Sequence, residues 1–321
     1  MSRYGKALER LYVMNRTSKF KYGLENVRKV SDFFGKPEKS IPCVHVTGTN
    51  GKGSVCYKLA QVLTENGLKT GLFQSPHVST FRERITVDNK LIEEDFVTSF
   101  LFDLFKAIDE GKVSCSFFEA LTVLCFMYFK EMKIDVGVIE VGIGGAMDAT
   151  NIIDNKILSI ITSIGLDHTE ILGDTIEEIA ITKSRLISNN SFALAGPTVP
   201  SSIFLQACHR RNTKPFQLLP EEVRGDPYWT INEKLATKAV DILREGGLSL
   251  PKFEQEWVQR NLKCRMERAP SELLSRFEDS KRPKAVFFDV GHNPQAINYL
   301  VQSIQNAGVK ESPVFVFGTS E

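Results

Sequence analysis

Five short apolar runs punctuate the chain, and a stretch of helical spacing separates most of them. They are Cys43–Thr47, Thr70–Gln74, Asp135–Val141, Ile157–Ile164 and Phe192–Ala195. Runs of this length without polar alternation are the mark of strands covered on both faces of a parallel sheet. Before them, residues 4–34 read as amphipathic helix with a polar break near Asn15 to Ser18, and Pro37 and Pro42 frame a loop. Between and after the runs, residues 53–66, 92–109, 117–131, 174–187, 201–211 and 231–245 carry helical spacing. The first of these stops at Asn66-Gly67, a helix C-cap signal. The helix from Asp174 opens with acidic residues, which suits its dipole. Strand, glycine turn, helix, strand over residues 43–74 is a βαβ crossover. The whole pattern predicts an α/β fold built on a doubly wound, mainly parallel sheet.

Residues 212–230 read as irregular, and 269–284 are polar and charged. A boundary is expected there, with one domain over 1–275 and the start of a second over 276–321. The second segment holds a strand at Ala285–Asp289, a helix at Gln295–Asn306 and a strand at Pro313–Phe317. Two strands and a helix do not make an independent domain. This part is therefore expected to dock on the first domain, or to be the truncated opening of a Rossmann-like α/β unit.

The 321 residues include 40 Lys plus Arg against 39 Asp plus Glu, a balance that gives no reason to expect a nucleic acid partner. The six cysteines hold no C-x-x-C pair and read as buried thiols of a reducing compartment. The first residues lack the apolar core of a secretory signal, and the longest apolar stretch, near Leu121–Phe129, is too short to span a bilayer. A cytoplasmic protein without membrane partners is expected.

The sharpest local signal is Gly48-Thr49-Asn50-Gly51-Lys52-Gly53-Ser54, between a strand and a helix. Three glycines let the backbone turn tightly and aim N–H groups at an anion, and the helix N-terminus adds partial positive charge. Lys52 supplies a full charge for β- and γ-phosphates, and Ser54 a hydroxyl for Mg²⁺. The spacing departs from G-x-x-x-x-G-K-[ST], since two residues separate Gly48 from Gly51 and Gly53 intervenes before Ser54. Glu140 closes an apolar strand beside Gly142, Gly144 and Gly145, at the sheet edge where α/β folds bind ligands. It is a candidate Mg²⁺ ligand. His168 and Ser75 also follow strands on that edge. Lys183, on a helix, would by itself be read as a solvated lysine.

Together these segments resemble the Mur ligase superfamily, and within it the folylpolyglutamate and dihydrofolate synthases. The resemblance is carried by His45-Val-Thr-Gly-Thr-Asn-Gly-Lys-Gly-Ser54, Ser75-Pro-His-Val-Ser-Thr-Phe-Arg-Glu-Arg-Ile85, Ser116-Phe-Phe-Glu-Ala-Leu-Thr122, Glu140-Val-Gly-Ile-Gly-Gly145 with Asp148-Ala-Thr-Asn151, the segment from Ile161 to Asp174, and Asp289-Val-Gly-His-Asn-Pro294. It implies a central Mur-ligase-like ATPase domain and an ATP-dependent ligase, acting as a monomer, that joins L-glutamate to a folate or dihydropteroate carboxylate through an acyl phosphate. It implies that Thr49 to Ser54 bind ATP phosphates. Two Mg²⁺ ions are expected, with Ser54, Ser75, Glu140, His168 and Lys183 as the ligand set, Lys183 as a carbamate. Lys52, His168 and Lys183 are the expected catalytic group. Asn232, Arg265, Asp289 and His292 match nucleotide-side residues, and Phe81, Arg82, Arg84, Phe118 and Asp148 are candidates for the pterin substrate. The family usually carries arginine where Ala146 stands. The rival readings are a nucleotide-binding relative without ligase chemistry, a phosphate-loop small-molecule kinase, and a cell-wall Mur ligase.

Overall fold

The structure is a computed structural model and describes residues 2–17, 23–214, 216–276, 283–306, 314 and 316. Among the described residues the strands are β1 (Cys43–Thr47), β2 (Thr70–Phe73), β3 (Ile85–Val87), β4 (Lys90–Leu91), β5 (Val136–Glu140), β6 (Lys156–Ile161), β7 (Phe192–Ala195), β8 (Phe216–Leu218), β9 (Glu267–Arg268) and β10 (Phe287–Phe288). The helices are α1 (Arg3–Thr17), α2 (Glu25–Phe33), α3 (Lys52–Glu65), α4 (Glu94–Asp109), α5 (Phe117–Met132), α6 (Thr169–Leu172), α7 (Ile176–Ser184), α8 (Ser201–Arg210), α9 (Tyr228–Glu245), α10 (Gln255–Gln259), α11 (Ser271–Leu274) and α12 (Pro294–Asn306).

Eight strands form one sheet in the order β4-β3-β2-β5-β1-β6-β7-β8. The pairs from β2 through β8 are parallel, and β3 and β4 add antiparallel at one edge. The mainly parallel α/β sheet expected from the apolar runs is the observed one. β1, β2 and β5 are buried along their whole length, as expected for strands with helices on both faces. Side chains alternate between two cores. Val44 and Val46 pack with α3, α9 and α10, whereas Cys43, Phe73 and Ile139 face α1, α2, α4 and α5. α5 is apolar nearly all round because it lies between the sheet and the α1, α2 and α4 layer. Phe129 reaches the sheet through the space left at Gly71, where a Cβ would stand 2.7 Å from its ring. Truncating Phe129 to alanine would cost about 3–5 kcal/mol.

β1 pairs with β5 on one side and β6 on the other, while the chain leaves β1 to form β2 beyond β5. This is a switch point of strand order, and the crevice at its C-terminal edge receives the loop 48–51. The hairpin β3–β4 and strand β8 were not expected. They are short, and β8 falls in the stretch read as irregular. Asp88 and Asn89 at the hairpin tip both adopt positive φ, 49° and 62°.

Near the C-terminus, β9 pairs antiparallel with β10, so the hydrogen-bonded pair crosses the expected 275/276 boundary. The strand expected at Pro313–Phe317 lies outside the described residues, apart from 314 and 316. Four cysteines, Cys43, Cys56, Cys125 and Cys208, are buried, but Cys115 and Cys264 are only half-buried. Among the described residues no helix is long and apolar enough to cross a membrane.

Candidate active site

The phosphate loop leaves β1 at Thr47 and enters α3 at Lys52, with Gly51 as the cap residue at φ 86°. Gly51 is required there twice over. Its φ is left-handed, and a Cβ would stand 2.4 Å from Asn232 Oδ1. The loop is fastened to the end of β6. Thr49 N donates to Ser163 O (2.8 Å), Asn50 N to Ser163 Oγ (2.9 Å), and Thr162 Oγ1 to Asn50 O (2.6 Å). Thr49 Oγ1 donates to Gly165 O at 3.1 Å. The N–H groups of Thr49 and Asn50 are therefore committed to the protein. The donors without intrahelical partners are those of the cap residue Gly51 and of Lys52, Gly53 and Ser54 in the first turn of α3.

Two lysines converge on one carbonyl of this loop. Lys52 Nζ donates to Gly48 O (3.0 Å) and Thr49 O (3.1 Å), and Lys183 Nζ donates to Gly48 O (3.0 Å). Lys183 is 3% exposed, far from the solvated lysine its helix spacing suggests. Burial, and then the charge of Lys52, bring its pKa down to about 7.

Glu140, at the end of β5, is 4% exposed, and its Oε2 accepts from Ser75 N at 3.0 Å. A Cβ on Gly53 would lie 3.2 Å from the same oxygen, so the carboxylate rests against the first turn of α3. Gln74 Nε2 donates to Gly53 O (3.0 Å) and holds the two segments together. Burial raises the Glu140 pKa, with Lys52, the Ser75 N–H, Arg265 and Arg84 acting in opposition. No ion pair within 4 Å neutralises it among the described residues. A buried carboxylate so placed, beside the hydroxyl-bearing Ser54 and Ser75, fits a hard divalent cation completed by phosphate oxygens and water. His168 stands apart: it precedes α6 at φ 50° with its side chain 45% exposed, and its Nε2 is 3.9 Å from Asp167 Oδ1. Among the described residues no group of three or more His, Cys, Asp or Glu is placed to hold a metal by itself.

Two hollows open beside the loop. One is lined by Asn50, Gly51, Ser54, Thr162 and Ser163, by Ile231 and Asn232 of α9, and by Arg265, Asp289 and Tyr299. Asp289 is held by the Tyr228 hydroxyl (3.0 Å), Met266 N (3.0 Å) and Gly291 N (2.8 Å). The expected nucleotide-side residues Asn232, Arg265 and Asp289 thus share one hollow with the loop. His292 does not line it; it is exposed, with Nδ1 3.0 Å from Val290 O. The Asn50 side chain donates to Asn293 Oδ1 (3.2 Å) and Gln295 Oε1 (2.9 Å), contacts the sequence did not reveal.

The second hollow is a cleft of about 500 Å³, with Ser75, Arg84, Phe118, Asp148 and the 142–149 loop in its walls. Arg84 donates from Nε to His77 Nδ1 at 2.7 Å and stacks on Phe117, 5.4 Å from the ring centroid. Asp148 is a buried anchor for its own loop, accepting from Ile143 N (2.9 Å), Thr150 N (3.0 Å) and the Thr150 hydroxyl. Two expected substrate residues lie elsewhere. Phe81 is 2% exposed, in the core with Phe117, and Arg82 is turned away, donating to Ile92 O (2.5 Å) and pairing with Glu94.

A glycine-rich loop at a strand switch point thus has a buried carboxylate and a buried lysine beside it and a second cleft adjoining, the arrangement of a phosphate-binding α/β domain. The Mur ligase middle domain matches residues 46–196. The dihydrofolate synthase/folylpolyglutamate synthase of Haemophilus influenzae is 32% identical over 315 residues, covering 88% of this chain and 69% of that protein. The chain belongs to the dihydrofolate synthase/folylpolyglutamate synthase family. The human mitochondrial folylpolyglutamate synthase is 40% identical over 167 residues, or 50% of this chain and 28% of that one. Escherichia coli FolC, solved in complex with DHPP and ADP, superposes with a TM-score of 0.75 at 26% identity, over 96% of this chain and 75% of that one.

Proposed function

We propose that the chain catalyses ATP-dependent addition of L-glutamate to a folate or dihydropteroate carboxylate through an acyl phosphate. The observation that carries this reading is the convergence of Lys52, Lys183 and Glu140 on the phosphate loop, next to a large cleft lined by Ser75, which bonds Glu140, and by Gly145, which packs on Lys183. ATP lies with its triphosphate over the first turn of α3, and its base beside Asn232. Lys52 exchanges its two loop carbonyls for phosphate oxygens. An acceptor carboxylate oxygen attacks the γ-phosphorus, and ADP leaves. The amine of L-glutamate then adds to the acyl carbon, loses a proton, and expels inorganic phosphate. The chain's part is mainly to position the partners and to neutralise charge.

Ser54, Ser75 and Glu140 would hold Mg²⁺ and a Lys183 carbamate a second ion, which His168 would reach only by turning its exposed side chain in from Asp167; bound Mg²⁺ supplies charge neutralisation on the transferring phosphoryl group. The lowered pKa of Lys183 makes its neutral amine, the form that adds to CO₂ with release of a proton, accessible near neutral pH. On the same reading the enzyme works in the cytoplasm as a monomer, a state that light scattering reads directly. A domain boundary near 275/276 would show as a protease-sensitive site.

The test is phosphate release from ATP across a panel of pterin acceptors and amino acids. Release requiring both a folate or pteroate and L-glutamate is expected, with product mass increased by glutamyl residues. ATP binding without such release would overturn the proposal.

A further inference from the structure

Among the described residues four charged side chains line the 500 Å³ cleft: Arg84, Glu119, Asp148 and Arg185. Three already have work within the fold. Arg84 is bonded to His77 and stacked on Phe117. Glu119 closes the capping box of α5, accepting from Ser116 N at 2.7 Å. Asp148 is filled by donors from its own loop. Arg185 differs. Its backbone N–H ends α7 on Ile181 O (3.3 Å), while its guanidinium has no hydrogen-bond or ion-pair partner among the described residues.

Arg185 is exposed and lines the cleft from the end of α7. Gly145 sits tight on the end of α7, where a Cβ would lie 2.7 Å from Thr182 O and 2.9 Å from Lys183 O. The 144–147 loop and the C-terminus of α7 therefore form one wall. Two residues of helix turn the side-chain direction by roughly 200°. Lys183 accordingly enters the phosphate loop, and Arg185 leaves on the other side, with Thr182, into the cleft. Ala146, in the same wall, offers only a methyl group. The reacting carboxylate must meet the γ-phosphate at the phosphate loop, so it is not the group Arg185 serves.

We propose that Arg185 is a specificity-determining residue that pairs with a second substrate carboxylate, one that is not phosphorylated. This rests on the ligase reading above. Two sources carry such a group: the glutamyl tail of the acceptor and the side chain of the incoming L-glutamate. A fork of guanidinium donors matches either one.

The experiment compares the full chain with Arg185→Ala, Arg185→Lys and the double variant Arg185→Ala/Ala146→Arg. KM is measured for folate, for pteroate, which lacks the glutamyl carboxylates, and for L-glutamate. The affinity for the ATP analogue AMPPCP is measured alongside. Arg185→Ala should raise one KM on the order of tenfold, the worth of one charge-assisted pair. If the tail is the partner, KM for folate rises and that for pteroate does not; if the incoming amino acid is the partner, KM for L-glutamate rises alone. Arg185→Lys should recover part of the loss, and the double variant should recover some from within the same wall. AMPPCP affinity should not move. Every KM staying within roughly twofold of the parent, or falling affinity for all ligands including AMPPCP, overturns the inference alone. A parent chain that neither binds a pterin nor turns over with glutamate overturns the ligase reading, and this inference with it.

Discussion

Replacing Lys183 with methionine tests the electrostatics of the site without opening a hole in it. The methionine fills nearly the same volume, and Gly48 O keeps its bond from Lys52 Nζ. In the fold the Lys183 amine titrates near 7, against 10.5 in its ordinary state. Between those values the unfolded chain binds the proton and the native chain does not, so the lysine adds stability as pH rises through that window. The contribution is complete above the unfolded value and lost as pH falls to the folded one. From pH 7 to pH 9 the wild type should gain about 2 kcal/mol relative to Lys183→Met. Urea unfolding of both proteins in CO₂-depleted buffer at several pH values reads this difference, since other titrating groups cancel. The variant should be the more stable protein near pH 6, yet inactive in phosphate release. Parallel stability profiles across pH 6–9 would refute the buried, depressed lysine.

Three further outcomes follow from the same geometry. Glu140→Gln should lower ATP turnover by about a hundredfold or more, if the carboxylate serves the metal and transferring phosphate, while thermal unfolding at neutral pH shows no loss of stability, because a buried charge has been removed. Gly51→Ala forces a left-handed φ and a 2.4 Å approach to Asn232; calorimetry should show nucleotide affinity weakened at least about fivefold, given strain of about 1–3 kcal/mol. Arg82→Ala should leave the KM for folate unchanged in steady-state assays, because its guanidinium is spent on Ile92 O and Glu94.

The scaffold of the site was legible where local chemistry dictates it. Gly48–Ser54 between a strand and a helix, and Glu140 at the end of an apolar run, are written into short windows of sequence. The burial of Lys183 was not, and only the family resemblance singled that residue out. Its burial depends on Gly48, far away in the chain, and helix spacing alone shows a polar residue near a helix end. The anchors Thr162, Ser163 and Gly165 could have been found as polar and glycine residues ending an apolar strand on the ligand edge. Phe81 and Arg82 were misplaced for a different reason. They sit in a tight helical turn capped by Thr80 and Glu83, where neighbours in sequence point to opposite sides. The β3–β4 hairpin had a signal in Asp88-Asn89, both tolerant of positive φ, but its strands are too short for alternation to show.

On the proposed reaction the phosphate loop hands the γ-phosphoryl group to a substrate carboxylate. It is tested most directly with a folate or pteroate whose carboxylate carries a heavy oxygen isotope. Turnover with ATP and L-glutamate should deliver the label into the released inorganic phosphate, as an acyl phosphate requires. Phosphate released without label, while glutamyl product accumulates, would rule out an acyl phosphate.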